Sequence, residues 1–361
     1  MDSEINGAGN PSTNSPIEFT GKGGEYFRIW IVNLALTILT LGIYSAWAKV
    51  RRMQYFYRNT SLLGNGFDYH GNPIAILKGR IIGVLLLAVY QVTLSFNIVL
   101  GLLVFLALIV ALPWLLQRSI CFKLLNSSYR GLRFRFNGSM GGAYQAFLAW
   151  PIAGYFSMGF LMPLAHQRIK AYQHNNSVYG TSSFTFGALP SPFYIIYLKL
   201  FGATILAVIV AVMLAAMSGM FTGVFSGMGD MKDPAQINKF VTQMMIVFII
   251  FYLLLFMFFG PWFAARIQNL VWNHTALGPH AFTSNVRARG LFVIYLTNFI
   301  AIILTLGLFK PFADIRLARY RLTHMGLNLQ GSLDEFFAQE QQTVNAMGQE
   351  TANVFDVDIS F

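Results

Sequence analysis

The sequence predicts an all-α polytopic membrane protein in which repeated transmembrane helices are each followed by a short aromatic β-strand at the membrane boundary. Three observations carry this expectation. Only 11% of the 361 residues are charged while 55% are hydrophobic, against about 25% charged in ordinary soluble domains. Six long stretches are almost free of charge. A helix-end motif recurs at fixed internal spacing.

The apolar stretches are Phe27 to Val50, Ile81 to Leu116, Ala143 to Ala165, Phe193 to Met217, Phe240 to Phe263 and Leu291 to Phe309. About 20 apolar residues cross a hydrocarbon layer roughly 30 Å thick. The stretch from Ile81 to Leu116 is long enough for two spans, with "SFN" at Ser95 to Asn97 as its turn, so the favoured count is seven spans. Residues 1–17, polar and containing Pro11 and Pro16, read as a disordered tail. Residues 18–332 form the membrane domain, and 333–361 a polar C-terminal tail.

A net charge of +11 raises the question of nucleic acid. The basic residues sit instead beside apolar runs, between Lys49 and Arg80 and between Gln117 and Gly142, as in cytoplasmic loops facing anionic lipid. The expected partners are therefore membrane lipids, including anionic phospholipid headgroups, and not nucleic acid; protein partners are not specified. The single Cys121 excludes an intramolecular disulfide. The six histidines have no zinc spacing, and no phosphate-binding loop, HExxH motif or serine elbow is present. No cofactor, metal or catalytic residue is assigned, and an enzyme is not the expected class.

The repeat is anchored on arginine. In "ALPWLLQRSICFKLLNSSYRGLRFRFNG", Pro113 and Trp114 precede Arg118, Asn126 follows it by eight residues, and Phe134, Phe136 and Gly138 close the unit. The first copy has Trp47, Arg51 and Asn59; the third Pro163, Arg168 and Asn176. The fourth has Pro261, Trp262, Arg266 and His274, and the last Pro311, Phe312, Arg316 and His324. The units lie near 44–71, 111–138, 161–187, 259–285 and 309–331. Arg118 to Arg266 is 148 residues, as is Arg168 to Arg316, which reads as a tandem duplication preceded by a related N-terminal unit.

Each motif reads physically. Proline starts or kinks a helix, the aromatic suits the headgroup belt, and arginine reaches phosphate while its stem stays apolar. Asn terminates the helix, with "NTS", "NSS" and "NNS" as helix exits. Phe67-Asp68-Tyr69, Phe134-Arg135-Phe136 and Phe184-Thr185-Phe186 alternate as strands do. Unpaired strands would leave backbone groups unsatisfied in hydrocarbon, so some of them should pair with one another.

Seven spans put the third and fourth motifs on the opposite side from the first two. The alternative keeps all five on one side and makes the connections through Gly42, Gly159 and Gly307 re-entrant hairpins, leaving four spans. Asn33, Gln91, Asn97, Lys199 and Asn298 are polar residues within apolar runs and form a possible intramembrane path. Gly219, Gly223 and Gly227 have the spacing of close helix packing or belong to a loop.

The segments "LTLGIYSAWAKVRRMQYFYRNT", "YRGLRFRFNGSMGGAY" and "LTLGLFKPFADIRLARYRLTH" resemble the YjgN family of bacterial multi-pass inner-membrane proteins, which carry a domain of unknown function. The resemblance covers roughly residues 18 to 332. It implies a location in the bacterial inner membrane and a topology class, and brings no catalytic residues. Two functions follow as expectations: a small-solute or ion transporter, or alternatively a structural protein that organises membrane partners without transport.

Overall fold

The computed structural model describes residues 13–217, 234–330 and Gln342. The chain is built from five modules, each a strand, a helical hairpin and a returning strand. Module 1 comprises β1 (Thr13–Phe19), α1 (Gly23–Leu39), α2 (Ser45–Arg58) and β2 (Thr60–Leu62). Module 2 comprises β3 (Asn65–Tyr69), α3 (Pro73–Phe96), α4 (Ile98–Leu125) and β4 (Ser127–Tyr129). In module 3, β5 (Leu132–Phe136) leads into α5 (Met140–Tyr144), a π-helical turn (Gln145–Ala149), α6 (Trp150–Phe156), α7 (Met162–Asn175) and β6 (Ser177–Tyr179). Module 4 holds β7 (Ser182–Phe186), α8 (Pro190–Met217), α9 (Pro234–Asn273) and β8 (Thr275–Leu277). Module 5 holds β9 (His280–Ser284), α10 (Ala288–Leu304), α11 (Lys310–Thr323) and β10 (Met325–Leu329).

The ten strands close into one antiparallel barrel. This corrects the all-α expectation: the recurrent strands do not decorate helix ends but join them in a closed sheet. Closure follows from backbone chemistry. Strands of three to five residues are too short to be stable in isolation, and a closed sheet leaves no edge of unpaired N–H and C=O groups. Within each module the two strands pair antiparallel, as Phe67 with Tyr129, Phe134 with Tyr179, Phe184 with Leu277, and Phe282 with Leu327. Neighbouring modules join through two-residue turns. Leu63-Gly64 and Arg130-Gly131 have both residues at positive φ, the type I′ geometry that matches strand twist. The last joint is between the ends of the described barrel, with Thr13 opposite Leu329. β1 thus begins inside the segment read from sequence as an N-terminal tail.

The barrel is filled. Ile17, Leu62, Tyr129, Leu132, Tyr179, Leu277, Met325 and Leu327 are buried in one cluster, with Phe67, Phe134, Phe184 and Phe282 packed against it. Two hydroxyls inside are paired: that of Tyr129 donates to the Leu62 carbonyl at 2.7 Å, and that of Tyr179 to the Tyr129 carbonyl at 3.0 Å.

Because every module leaves the barrel and returns to it by paired strands, all five helical hairpins emerge from the same rim. The turns between modules occupy the other. Among the described residues, four helices are long and apolar enough to cross a membrane: α3, α4, and the segments Pro190–Leu214 of α8 and Phe240–Asn273 of α9. The other three hairpins turn back early, which leaves four candidate spans and matches the alternative topology rather than the favoured seven. Their tips share one geometry. Gly42 N–H donates to the Thr37 carbonyl, Gly159 to Gly154 and Gly307 to Ile302, each five residues back. The preceding Leu41, Met158 and Leu306 donate three residues back, to Ile38, Tyr155 and Ile303. This is the Schellman helix stop. The glycines have φ of 93°, 94° and 92°, a conformation that Gly adopts without steric cost.

Hairpins therefore alternate short, long, short, long, short, and closing the ring sets the short modules 5 and 1 side by side, with α1 packed on α11. The 148-residue spacing separates corresponding positions of the long–short pairs, modules 2–3 and 4–5. Gly219, Gly223, Gly227 and the C-terminal segment after residue 332 lie outside the described residues, Gln342 apart.

Candidate functional site

The repeated motif maps onto the junction between each module's second helix and the barrel. Asn59, Asn126, Asn176, His274 and His324 each follow the last helical residue. Their side chains make the same bond. Nδ2 of Asn59, Asn126 and Asn176 donates to the carbonyl four residues back, of Tyr55, Phe122 and Tyr172, at 2.8, 2.7 and 2.8 Å. Nδ1 of His274 and His324 meets the carbonyls of Leu270 and Tyr320 at 2.9 and 2.8 Å. Carbonyls of a last helical turn are short of backbone partners, although those of Tyr55 and Phe122 also accept from the backbone N–H of Asn59 and Asn126 at 3.2 Å, and both residue types can carry an N–H at the δ position. The exchange of Asn for His has this chemical cause.

The backbone of the same residue serves the barrel. Its carbonyl accepts from the residue that follows the module's first strand: Thr20 to Asn59 at 2.9 Å, His70 to Asn126 at 2.7 Å, Asn137 to Asn176 at 2.8 Å, Gly187 to His274 at 2.9 Å and Asn285 to His324 at 3.0 Å. One residue thus ends the helix and adds the last rung of the sheet. The strand begins immediately after it, so the segments read as helix exits are themselves β2, β4 and β6.

The five arginines Arg51, Arg118, Arg168, Arg266 and Arg316 are all exposed. Standing eight residues before the junction, each lies about 12 Å up its helix from the barrel. Arg51 stacks over Tyr44, with its guanidinium carbon 5.6 Å from the ring centroid, Arg118 over Trp114 at 6.0 Å and Arg168 over Trp150 at 5.6 Å. Arg316 donates to Asn298 Oδ1 at 2.8 Å and Thr297 Oγ1 at 3.0 Å. Pro113, Pro163, Pro261 and Pro311 are buried. Pro163 and Pro311 sit in the first turn of their helices, whereas Pro113 and Pro261 lie inside continuous ones. Trp47 stacks on Tyr44, and Phe312 on Phe27 and Phe309; Trp114 is exposed and Trp262 half-buried. The result is a guanidinium belt on one side of the barrel, with three of its five members over aromatic rings.

The polar residues inside apolar runs are dispersed. Asn33 on α1 and Asn298 on α10 are buried within short hairpins. Asn298 Nδ2 also donates to the Ala313 carbonyl at 3.3 Å. Gln91 and Lys199 are exposed on α3 and α8. Asn97 forms the α3–α4 turn, its Oδ1 accepting from Val99 and Leu100. Among the described residues, no hydrogen bond links any two of the five, and no group of three His, Cys, Asp or Glu side chains converges on a metal position.

A family model described as bacterial protein of unknown function (DUF898) matches residues 14–354. The chain belongs to this family. Over 144 residues it is 36% identical to the inner membrane protein YjgN of Salmonella typhimurium, covering 38% of this chain and 35% of that relative. Over 154 residues it is 31% identical to the inner membrane protein YjgN of Escherichia coli K12 and 30% identical to that of Escherichia coli O157:H7, in each case 42% of this chain and 39% of the relative. The matched region thus spans little more than a third of these relatives' length. No solved structure matches. The DUF898 chain is a bacterial inner-membrane protein, and its apolar helices contact lipid.

Sequence reasoning missed one polar stripe. His166, Lys170 and His174 recur every four residues along α7, facing module 4. His166 Nδ1 meets the Tyr197 hydroxyl at 3.1 Å, and His174 Nδ1 the Thr275 hydroxyl at 3.2 Å. Burial, with Lys170 adding repulsion, pushes both histidines down to about 4, and burial lowers Lys170 as well. The spacing of four was the available signal.

Two predictions follow from these contacts. Replacing His324 by Asn retains stability, whereas His324→Ala costs about 1 kcal/mol by leaving the Tyr320 carbonyl only the long bond from Thr323 Oγ1, 3.4 Å, measured as a drop in thermal unfolding midpoint in detergent. In the second, the unfolded chain binds protons on His166 and His174 below about pH 6.5 while the folded chain resists until about pH 4. The midpoint therefore falls as pH drops through that window, and His166→Phe with His174→Phe flattens the slope.

Proposed function

We propose that this DUF898 protein is a non-catalytic organiser of the inner membrane, which gathers anionic phospholipid around a barrel-based ring of helical hairpins. The carrying observation is the belt of five exposed arginines at equivalent positions on one side of the barrel. Guanidinium groups pair well with phosphate diesters, and a basic residue near an anionic surface contributes about 1 kcal/mol. The same rule that concentrates basic residues in cytoplasmic segments supports a cytoplasmic barrel. The short hairpins then dip into the near leaflet, with Leu41, Met158 and Leu306 at their tips 95%, 93% and 94% exposed. Bulky apolar residues at φ near 50° are uncommon; lipid rewards their projection at these tips.

Small-solute or ion transport is the second reading. It is favoured by the arrangement of the two spanning hairpins, α3–α4 and α8–α9, which have no substantial packed interface with each other among the described residues, so a path between them requires no unpacking. Against conduction along the barrel axis stands its aromatic filling.

One purified preparation tests both. Phosphatidylglycerol should be enriched several-fold over its bulk fraction in the co-purified lipid, and a triple variant with Arg118, Arg168 and Arg266 changed to Gln should fall to the bulk ratio. Unchanged enrichment would sink the organising role. Protein-dependent ion or solute flux in proteoliposomes would move the assignment to transport.

A further inference from the structure

A fivefold repeat separates what the fold requires from what it does not. Features present in every module serve the shared architecture; a polar cluster found in one module alone is not needed to build it. Module 1 carries such a cluster. A groove of about 510 Å³ between α1 and α2 is lined by Arg28, Arg51, Gln54 and Arg58, with Ile29 and Val32 among its apolar residues. Arg51, Gln54 and Arg58 are spaced three and four residues apart, one face of α2, and Arg28 stands on the opposing helix.

No other module repeats the whole set, although Lys78 stands at the slot of Arg28 in module 2 and Arg319 at that of Gln54 in module 5. Counted from the anchoring arginine, the slot of Arg58 holds Leu125, Asn175, Asn273 and Thr323 in modules 2 to 5. Counted from Asn298, which matches Asn33, the slot of Arg28 in module 5 holds Val293. Arg58 is neutralised by Asp68, at 2.9 Å between Nε and Oδ1. Among the described residues neither Arg28 nor Arg51 meets a carboxylate. Two uncompensated guanidinium groups therefore share one groove with Gln54 and an apolar wall.

The groove is also polarised along its length. Arg58 adjoins the barrel, Arg28 and Arg51 stand about 8 and 12 Å along their helices from it, and Val32 about 14 Å, nearest the hairpin tip. Beyond Val32 the hairpin exposes Ile38, Leu39 and Leu41. A ligand with an anionic head toward the barrel and an apolar tail toward the tip matches both ends.

We infer that the α1–α2 groove is a discrete site for a phosphate ester, occupied by one anionic phospholipid whose phosphate lies between Arg28 and Arg51 and whose acyl chain runs past Val32 toward the hairpin tip. The inference deepens the lipid-organising role and rests on it, while concerning a different set of residues from those varied in the belt test. Arg51 belongs to the belt; Arg28 does not.

Native mass spectrometry of the full chain released from phosphatidylglycerol nanodiscs reads site occupancy directly. One lipid should survive delipidating detergent in the wild type and in Arg118→Gln/Arg266→Gln. Arg28→Gln/Arg51→Gln should lower its occupancy at least about tenfold, the scale of losing charge-assisted hydrogen bonds. Val32→Asn should weaken the lipid while leaving any protection by inorganic phosphate unchanged. Inorganic phosphate alone, raising the unfolding midpoint of the wild type but not of the Arg28/Arg51 double variant, would assign the groove to the free anion as the source of the phosphate. If the Gln pair fails to fold, Arg28→Lys/Arg51→Lys, which keeps charge and loses the fork geometry, should give intermediate occupancy. Retention of the lipid by the folded Gln pair, together with phosphate protection that ignores both arginines, would overturn the site. Loss of belt enrichment with the groove lipid intact, or the reverse, separates the two readings.

Discussion

The structure depends on backbone groups that have no partner until the chain closes on itself. Each module supplies one strand of three residues and one longer strand, apart from module 5, whose two strands have five residues each. None is stable alone, and each becomes satisfied only when both neighbours are present. Closure fixes the direction of every hairpin, because a strand that leaves the rim must return to pair beside itself. The sidedness of the arginines and the mixture of spanning and short hairpins are consequences of that one requirement.

The junction residue shows how much a single position can carry. Its side chain stops a helix, its carbonyl adds a sheet rung, and the next residue is already strand. Five copies of this arrangement give the barrel its rim and set the angle at which the helices leave it. In module 1 the surrounding face has been altered while the junction is intact, with Arg58 where other modules place Leu, Asn or Thr. Binding chemistry can be added there without disturbing the closure.

The repeat was legible in the sequence because Arg, Asn/His and Pro are chemically distinctive and their spacing is fixed by helix geometry. The pairing of strands was legible in part, from the recurring Phe-x-Phe pattern. Ten strands were not, since "TSL", "SSY", "SVY" and "TAL" are too short for an alternation to register and sit directly behind a helix cap. The turns at Gly42, Gly159 and Gly307 were legible only as the less favoured of two topologies. A helix stop usually announces itself with Gly at its left-handed position, but here Leu41, Met158 and Leu306 occupy it, so two short antiparallel helices read as one long apolar run. Hydropathy sums such a run without sensing its reversal. Of the site, the arginine belt was read from sequence as interfacial; the α7 stripe and the α1–α2 groove depend on which helices become neighbours, and the sequence does not order them.

The most direct test is the sidedness of the module turns. In a Cys121→Ser background, Leu63→Cys lies between modules 1 and 2, Ser183→Cys lies just past the turn between modules 3 and 4, and Asn97→Cys lies at the far end of α3–α4. Labelling with a membrane-impermeant maleimide in oriented vesicles should reach positions 63 and 183 from the same face and position 97 from the other. Labelling of 63 and 183 from opposite faces would require a spanning connection between them, which a single closed barrel with all its hairpins on one rim does not permit.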